Sequence, residues 1–358
     1  MPPDGPLRVA AFPAGRPGMS NPYASLFTSA LRSEGAVVDD LRVGALFRTR
    51  YDVVHLHWPE WILDSESRRR AEGLLAGLAW QRRRGGRVVW TVHNLGHHEQ
   101  ARKQSAWKRF LRRVDGFVSL TEGGVGLARD AFPELRDVPA FVVPHGHYRD
   151  VYPNDVSVET ARDHLEIAAD AKVGLFFGHV RPYKNVLALI RVLRELDDPD
   201  AVLVVAGRPL SDDLAAAIAH EARGDPRIRL HLGVVPVDEV QHFFNAADVV
   251  ALPYTETLNS GAALLALSFN RPVVAPASGA FPELQARLGE QWVSTYEGEL
   301  NGDVLRAALR TTREHAPSAP LDSYAWSETG RLVLDAYHKL LQRPRPFFDR
   351  STRDTGLR

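Results

Sequence analysis

The chain predicts two successive α/β domains, each a parallel sheet wound on both faces by helices, and three observations carry the prediction. Short apolar segments alternate with helical ones of roughly 10–15 residues from end to end, the pattern of βαβ units. These segments fall into two sets separated at 152–159, YPNDVSVE. The 358 residues also exceed what one ordinary hydrophobic core holds. In the first set, strands are predicted at 7–12 (LRVAAF), 53–57 (VVHLH), 87–93 (RVVWTVH), 116–120 (GFVSL) and 140–144 (AFVVP). In the second they are predicted at 172–178 (KVGLFFG), 201–206 (AVLVVA), 228–232 (IRLHL), 249–252 (VVAL) and 272–275 (PVVA). Such short apolar runs suit parallel strands covered on both faces. Helices fill the gaps, for example at 23–34, 67–84, 101–114, 185–196, 212–223 and 237–246. The expected division is a first domain at 1–155 and a second at 156–325, with a helix at 326–342 packing back on the first. The Pro/Arg-rich tail 343–358 is expected to be disordered. Asp248, Trp326 and His55 read as structural, His55 as facing a packed helix from the predicted strand 53–57.

Composition narrows the class. Hydrophobic content of 44% and charged content of 25% describe a soluble globular protein. Zero cysteines exclude disulfides, thiolate catalysis and cysteine-ligated zinc. No apolar run approaches the roughly 18 residues needed to span a bilayer, and the first thirty residues lack a signal-peptide core. A cytoplasmic location is therefore expected. Net charge is zero but segregated: residues 1–150 hold 22 Lys/Arg against 16 Asp/Glu. Within 66–113 the count is 13 basic to 3 acidic. There, Leu74, Leu75, Leu78, Trp80, Trp107, Phe110 and Leu111 interleave with Arg and Lys on two predicted helices. A solvated helix face is one reading; a patch resting on the anionic inner face of the cell membrane is the other. Nucleic acid is not expected, since no RNA-reading motif accompanies the charge.

In doubly wound sheets, ligands bind outside the carboxyl ends of the strands. The segment 253–276, PYTETLNSGAALLALSFNRPVVAP, places Tyr254, Asn259, Ser260 and Gly261 in a loop opening a helix after a strand. Its free amides and helix dipole make an anion site. Upstream, LFFGHVRPYKN at 175–185 offers His179, Arg181 as a bidentate fork and Lys184 as a point charge. Two such sites in one α/β unit point to a nucleotide diphosphate; taken singly, each is also a helix cap with surface cations. The Walker-type phosphate loop and G-x-G-x-x-G are both absent, which argues against an NTPase and an NAD-dependent oxidoreductase. HLHW and HNLGHHE invite a metal reading, but none of these histidines has i, i+4 helical spacing with a third ligand, so no metal is expected.

NPY (21–23), RYDVVHLHWPEW (50–61), TVHNLGHHE (91–99), HGHYRD (145–150), FGHVRPYKN (177–185), LPYTETLNSG (252–261), ALSFNRPVVAP (266–276) and WVSTYEGEL (292–300) resemble, in order, the bacterial GT-B β-mannosyltransferases of exopolysaccharide assembly. The resemblance implies two Rossmann-like domains facing across a cleft, the first binding acceptor and the second nucleotide sugar. It implies a metal-independent, inverting transfer of mannose from GDP-mannose to a lipid-diphosphate-linked oligosaccharide, with no further cofactor. Matching positions place acceptor contacts at Asn21, Tyr23, His57, Trp58, His93, Asn94 and His147, and donor contacts at the cationic and loop residues above. The large retaining GT-B family carries a Glu-x7-Glu signature that would fall at Thr257 and Leu265, where both carboxylates are missing. Asn270 also stands where that family has Gly. Inversion needs a base for the acceptor's proton. Glu60, following Pro59 at the tip of a buried strand, is the first choice, with His98 and Glu99 next. Two other readings stay open: a transferase using a UDP- or dTDP-sugar on a soluble acceptor, and a non-catalytic sugar-nucleotide-binding protein.

Overall fold

A computed structural model describes residues 5–15, 21–95, 104–310 and 318–344. The first sheet contains β1 (Arg8–Phe12), β2 (Val37–Asp40), β3 (Val53–Leu56), β4 (Arg87–Thr91), β5 (Gly116–Ser119) and β6 (Ala140–Val142), in the order β2-β1-β3-β4-β5-β6. The second contains β7 (Lys172–Phe177), β8 (Ala201–Ala206), β9 (Ile228–His231), β10 (Val249–Ala251), β11 (Val273–Pro276) and β12 (Val293–Tyr296), in the order β12-β11-β10-β7-β8-β9. Every pairing is parallel. Strand order reverses between β1 and β3 in one sheet and between β7 and β10 in the other, the points where doubly wound sheets take ligands.

All ten predicted strands are present, and two more complete the sheets. Both additions, β2 (VVDD) and β12 (VSTY), lie at an outer edge. An edge strand has one flank in water and tolerates polar residues, as VVDD and VSTY do, whereas the opposite edges β6 and β9 keep enough apolar residues to be read from the sequence.

Packing explains how the sheets are covered. One face of the first sheet buries Leu74, Leu78, Trp107, Phe110 and Phe117. The opposite face buries Phe27 and Leu31 together with Val333, Tyr337 and Leu340 from the last helix, Trp326–Gln342. Gly330 permits the close approach, because a Cβ there would lie 2.7 Å from the Ala30 carbonyl oxygen. His55 bonds through Nδ1 to the Tyr337 hydroxyl of that same helix, and His57, two residues on and so on the same face, stacks on it at 4.5 Å. Residues 345–358, most of the expected disordered tail, lie outside the described residues.

Asn270 explains its own departure from Gly. Its backbone is left-handed, φ 56°, at the end of the helix Gly261–Ser268, a conformation that Asn tolerates. Its Oδ1 then accepts from the Ala319 amide at 3.0 Å and from Arg149 at 3.2 Å, tying the two segments that cross between the domains.

Candidate active site

The carboxyl ends of both sheets open on one interdomain cleft of about 640 Å³, within the range of small-molecule sites. It is lined by His93 and Asn94 after β4 and, in the second domain, by Lys184 after β7 and Tyr254 to Gly261 after β10. Its second-domain wall is cationic. After β7, Gly178 turns the chain at φ 112°, and Lys184 follows in a 3-10 turn. The Lys184 ammonium lies 5.2 Å from the Tyr254 ring centre and 5.9 Å from that of Phe176. Burial first, then the like charge of Arg181, pull its pKa down to about 8. No carboxylate among the described residues pairs with it, so an anion entering the cleft would meet a charge already stripped of water.

The loops after β7 and β8 run side by side. The Val180 amide donates to the Arg208 carbonyl at 2.9 Å, and a Cβ on Gly207 would lie 1.9 Å from the Gly178 oxygen. Arg208 therefore joins Arg181 beside His179, whose imidazole is held below its ordinary pKa by burial and by Lys184, Arg181 and Arg208. Sequence reasoning missed Arg208, although its position just past β8 was the available signal. Ser260 caps the next helix by accepting from the Ala263 amide at 3.1 Å, leaving first-turn amides at Gly261 for a ligand. A Cβ at Gly261 would sit 3.3 Å from His145 Nε2 and from the Tyr148 hydroxyl. The Tyr254 hydroxyl is buried without a partner.

Glu60 begins a short helix, Glu60–Leu63, just after β3. Burial raises its carboxyl pKa to about 7, Asp64 adds to the rise, and a hydrogen bond from Asn94 opposes it. Asn94 and His93 line the cleft. Beside them Trp58 is stacked between Trp61 at 5.3 Å and His93 at 4.7 Å. Tyr23 touches His57, His93, His145 and Trp326 with ring centroids 4.7–5.6 Å apart. Burial leaves these imidazoles neutral: His55 is pulled down to about 3, His145 to about 4, and His57 and His93 well below the ordinary value.

Several predicted contacts are placed elsewhere. Tyr23 and His57 are buried and form the floor of the site, out of reach of a ligand. The Asn21 side chain accepts from the Tyr23 amide at 3.0 Å, fixing the start of that helix. His147 lies on the crossing segment, where its Nδ1 accepts from the Arg149 amide and its carbonyl from Trp326. It does not line the cleft. Asn259 donates to the Val92 and His93 carbonyls at 3.4 and 3.2 Å, and Leu258 beside it is buried in the first-domain core. This second-domain loop thus reaches across the cleft. His98 and Glu99 lie outside the described residues. Asp248 is structural, accepting from Arg162 at 2.9 Å and from the Val173 amide at 2.7 Å.

The basic helices require a correction. Leu74, Leu75, Leu78, Trp107, Phe110 and Leu111 are all buried in the first-domain core, so they are not available to insert into a membrane. An apolar stripe at helical spacing is first of all a core face. What remains outside is Trp80, 41% exposed, with Phe47, 45% exposed, and the exposed Arg68, Arg69, Arg70, Arg83, Lys108 and Arg112. Among the described residues no helix is long and apolar enough to cross a membrane.

Comparison with known proteins agrees with this geometry. Residues 171–296 match the family model "Glycosyl transferases group 1". The chain is 32% identical over 301 residues to the GDP-mannose:glycolipid 4-beta-D-mannosyltransferase of Xanthomonas campestris pv. campestris, covering 82% of this chain and 81% of the relative. Among solved structures, Anabaena HepE in complex with UDP-glucose aligns at TM-score 0.62 and 14% identity, covering 93% and 97% of the two chains. WaaG, a glycosyltransferase involved in lipopolysaccharide biosynthesis, aligns at 0.59 and 16%, covering 94% and 98%. At that identity these two speak for the fold alone. A parallel two-sheet architecture, a cleft with a cationic wall at the carboxyl ends of both sheets and a relative at 32% identity over four-fifths of the chain place the protein together: it is a glycosyltransferase and belongs to the GT-B mannosyltransferase family.

Proposed function

We propose that the protein transfers mannose from GDP-mannose, with inversion, to a hydroxyl of a lipid-diphosphate-linked oligosaccharide during polysaccharide assembly at the inner membrane face. The observation that carries the reading is one cleft that joins a desolvated Lys184 ammonium to Asn94, the residue that hydrogen-bonds the Glu60 carboxyl. In this mechanism ionised Glu60 takes the acceptor's proton as its oxygen bonds to the mannosyl carbon. The bond from that carbon to the diphosphate breaks on the opposite face, and GDP leaves with the electron pair. Lys184, Arg181, Arg208 and the amides at Gly261 meet the charge that develops there. With those groups filling the electrophilic role, no metal is assigned to the step. The Trp61–Trp58–His93 stack offers an aromatic face to the acceptor sugar. Exposed arginines of the helix Arg68–Arg83 supply peripheral attraction to an anionic membrane.

The test uses full-length protein with GDP-, UDP- and dTDP-sugars, first alone and then with a lipid-diphosphate disaccharide. A β-linked mannosyl product by proton NMR is expected from the α-linked GDP donor. An α-linked product would overturn inversion. Turnover confined to UDP- or dTDP-sugars would overturn the donor, and GDP-mannose binding without turnover would mark a non-catalytic protein.

A further inference from the structure

We propose that the second domain carries, away from the cleft, a site for a borderline divalent cation such as zinc, built from His164, Glu239 and His242. One ligand atom from each lies within 4.8 Å of the others. Glu239 caps the helix Val240–Ala246 and His242 follows three residues later, so the two share a helix face. His164 ends the helix Val158–His164, which packs alongside. Its Nε2 lies 2.9 Å from Glu239 Oε2, and its ring stacks on that of His242 at 4.1 Å.

A second observation points to a ligand. His242 Nδ1 is buried with no hydrogen-bond partner. A buried imidazole nitrogen without a partner is a cost that a bound cation removes. Two imidazoles and one carboxylate form a donor set suited to zinc, nickel, cobalt or iron, with remaining positions left to water. Coordination requires His164 to swing out of the stack so that both ring planes meet at the ion. Its side chain is 45% exposed, which leaves room for that turn.

The position suggests what the ion would do. On the same helix, Gln241 Oε1 accepts from the amides of Asp155 and Val156 at 3.0 and 3.2 Å, and Asn245 donates to the Val156 carbonyl at 2.9 Å. That helix therefore grips the segment entering the second domain. An ion joining it to Val158–His164 would brace the segment at both ends. None of the three ligands lines the cleft, so the ion takes no part in sugar transfer.

Tag-free full-length protein, stripped with chelator, should bind one equivalent of Zn²⁺ by calorimetry and melt several degrees higher with it. Co²⁺ should give the visible absorption of a nitrogen- and oxygen-ligated ion. His242→Ala and Glu239→Gln should each weaken Zn²⁺ at least tenfold and abolish the melting shift, while Lys184→Ala binds as the unaltered protein does. His164→Ala, at an exposed helix end, supplies the same comparison if the half-buried His242 variant fails to fold. No saturable binding, or binding unchanged in His164→Ala and His242→Ala, would overturn the proposal and leave an ordinary His–Glu pair.

Discussion

Glu60→Gln is expected to stabilise the protein at alkaline pH while nearly abolishing transfer. The Glu60 pKa rises from 4.5 to about 7, chiefly through burial. At about 1.36 kcal/mol per unit, the ionised carboxylate costs roughly 3 kcal/mol more in the folded protein than in the unfolded chain. Folded Glu60 holds its proton to higher pH than unfolded Glu60 does. Stability therefore falls as pH rises from about 4.5 to 7, and above 7 the whole penalty is present. Gln carries no such penalty. Allowing for the partial solvent contact of the side chain, denaturant melts should show Glu60→Gln ahead by roughly 1–3 kcal/mol at pH 8 and by much less at pH 5. Activity should move the other way. In the unaltered enzyme kcat/KM for the donor should climb with pH through about 7 as Glu60 ionises and fall again past about 8, where Lys184 loses its proton. In the Gln variant kcat should drop by roughly 10²–10⁴ with donor affinity nearly intact. Normal turnover in Glu60→Gln would refute the base assignment. A stability offset that does not change between pH 5 and pH 8 would refute the desolvated carboxyl on which it rests.

Two further outcomes follow from the cationic surfaces. Arg181→Ala and Lys184→Ala should each lower kcat/KM for the donor by roughly ten- to a hundredfold, the worth of a charge-assisted contact of about 1.5–3 kcal/mol. The donor KM of the unaltered enzyme should rise as pH passes about 8, where Lys184 loses its proton, and Lys184→Ala should lack that rise. Co-sedimentation with liposomes should grow with anionic lipid and fall with salt. Replacing Arg68, Arg69 and Arg70 together should abolish it, and equal binding to neutral vesicles would defeat the electrostatic argument.

The fold was legible because buried parallel strands leave continuous apolar runs, which the eight inner strands show and the edges β6 and β9 retain in part. The edge strands β2 and β12 escape that signal. The cationic wall was legible for a similar reason: Arg181, Lys184 and Ser260–Gly261 stand where strands give way to helix starts, a relation written locally in the chain. Roles set by burial were less so. Tyr23, His57, Leu74 and Phe110 look like ligand or membrane contacts in sequence, yet the fold spends them on its interior. Periodicity marks an apolar face without saying whether another element covers it. Arg208 and the Tyr148 hydroxyl gain meaning only when the β7 and β8 loops abut and the crossing segment meets Gly261.

The same loop that lines the cleft at Tyr254 and Gly261 also fastens the two domains. Leu258, carried by the second domain, is 8% exposed because the first-domain core encloses it, and its Cδ1 sits where a Cβ on Gly124 would be 3.4 Å away. Asn259 adds two bonds to the carbonyls ending β4's extension, and Glu283 accepts from the Glu122 amide at 2.9 Å across the interface. Losing the burial of Leu258 costs about 1.5–3 kcal/mol, and each of these bonds is worth about 1 kcal/mol. Because Tyr254 and Gly261 flank Leu258 and Asn259 in one loop, a diphosphate bound at Gly261 would hold the fastening in place. Its departure would free the loop to release both products.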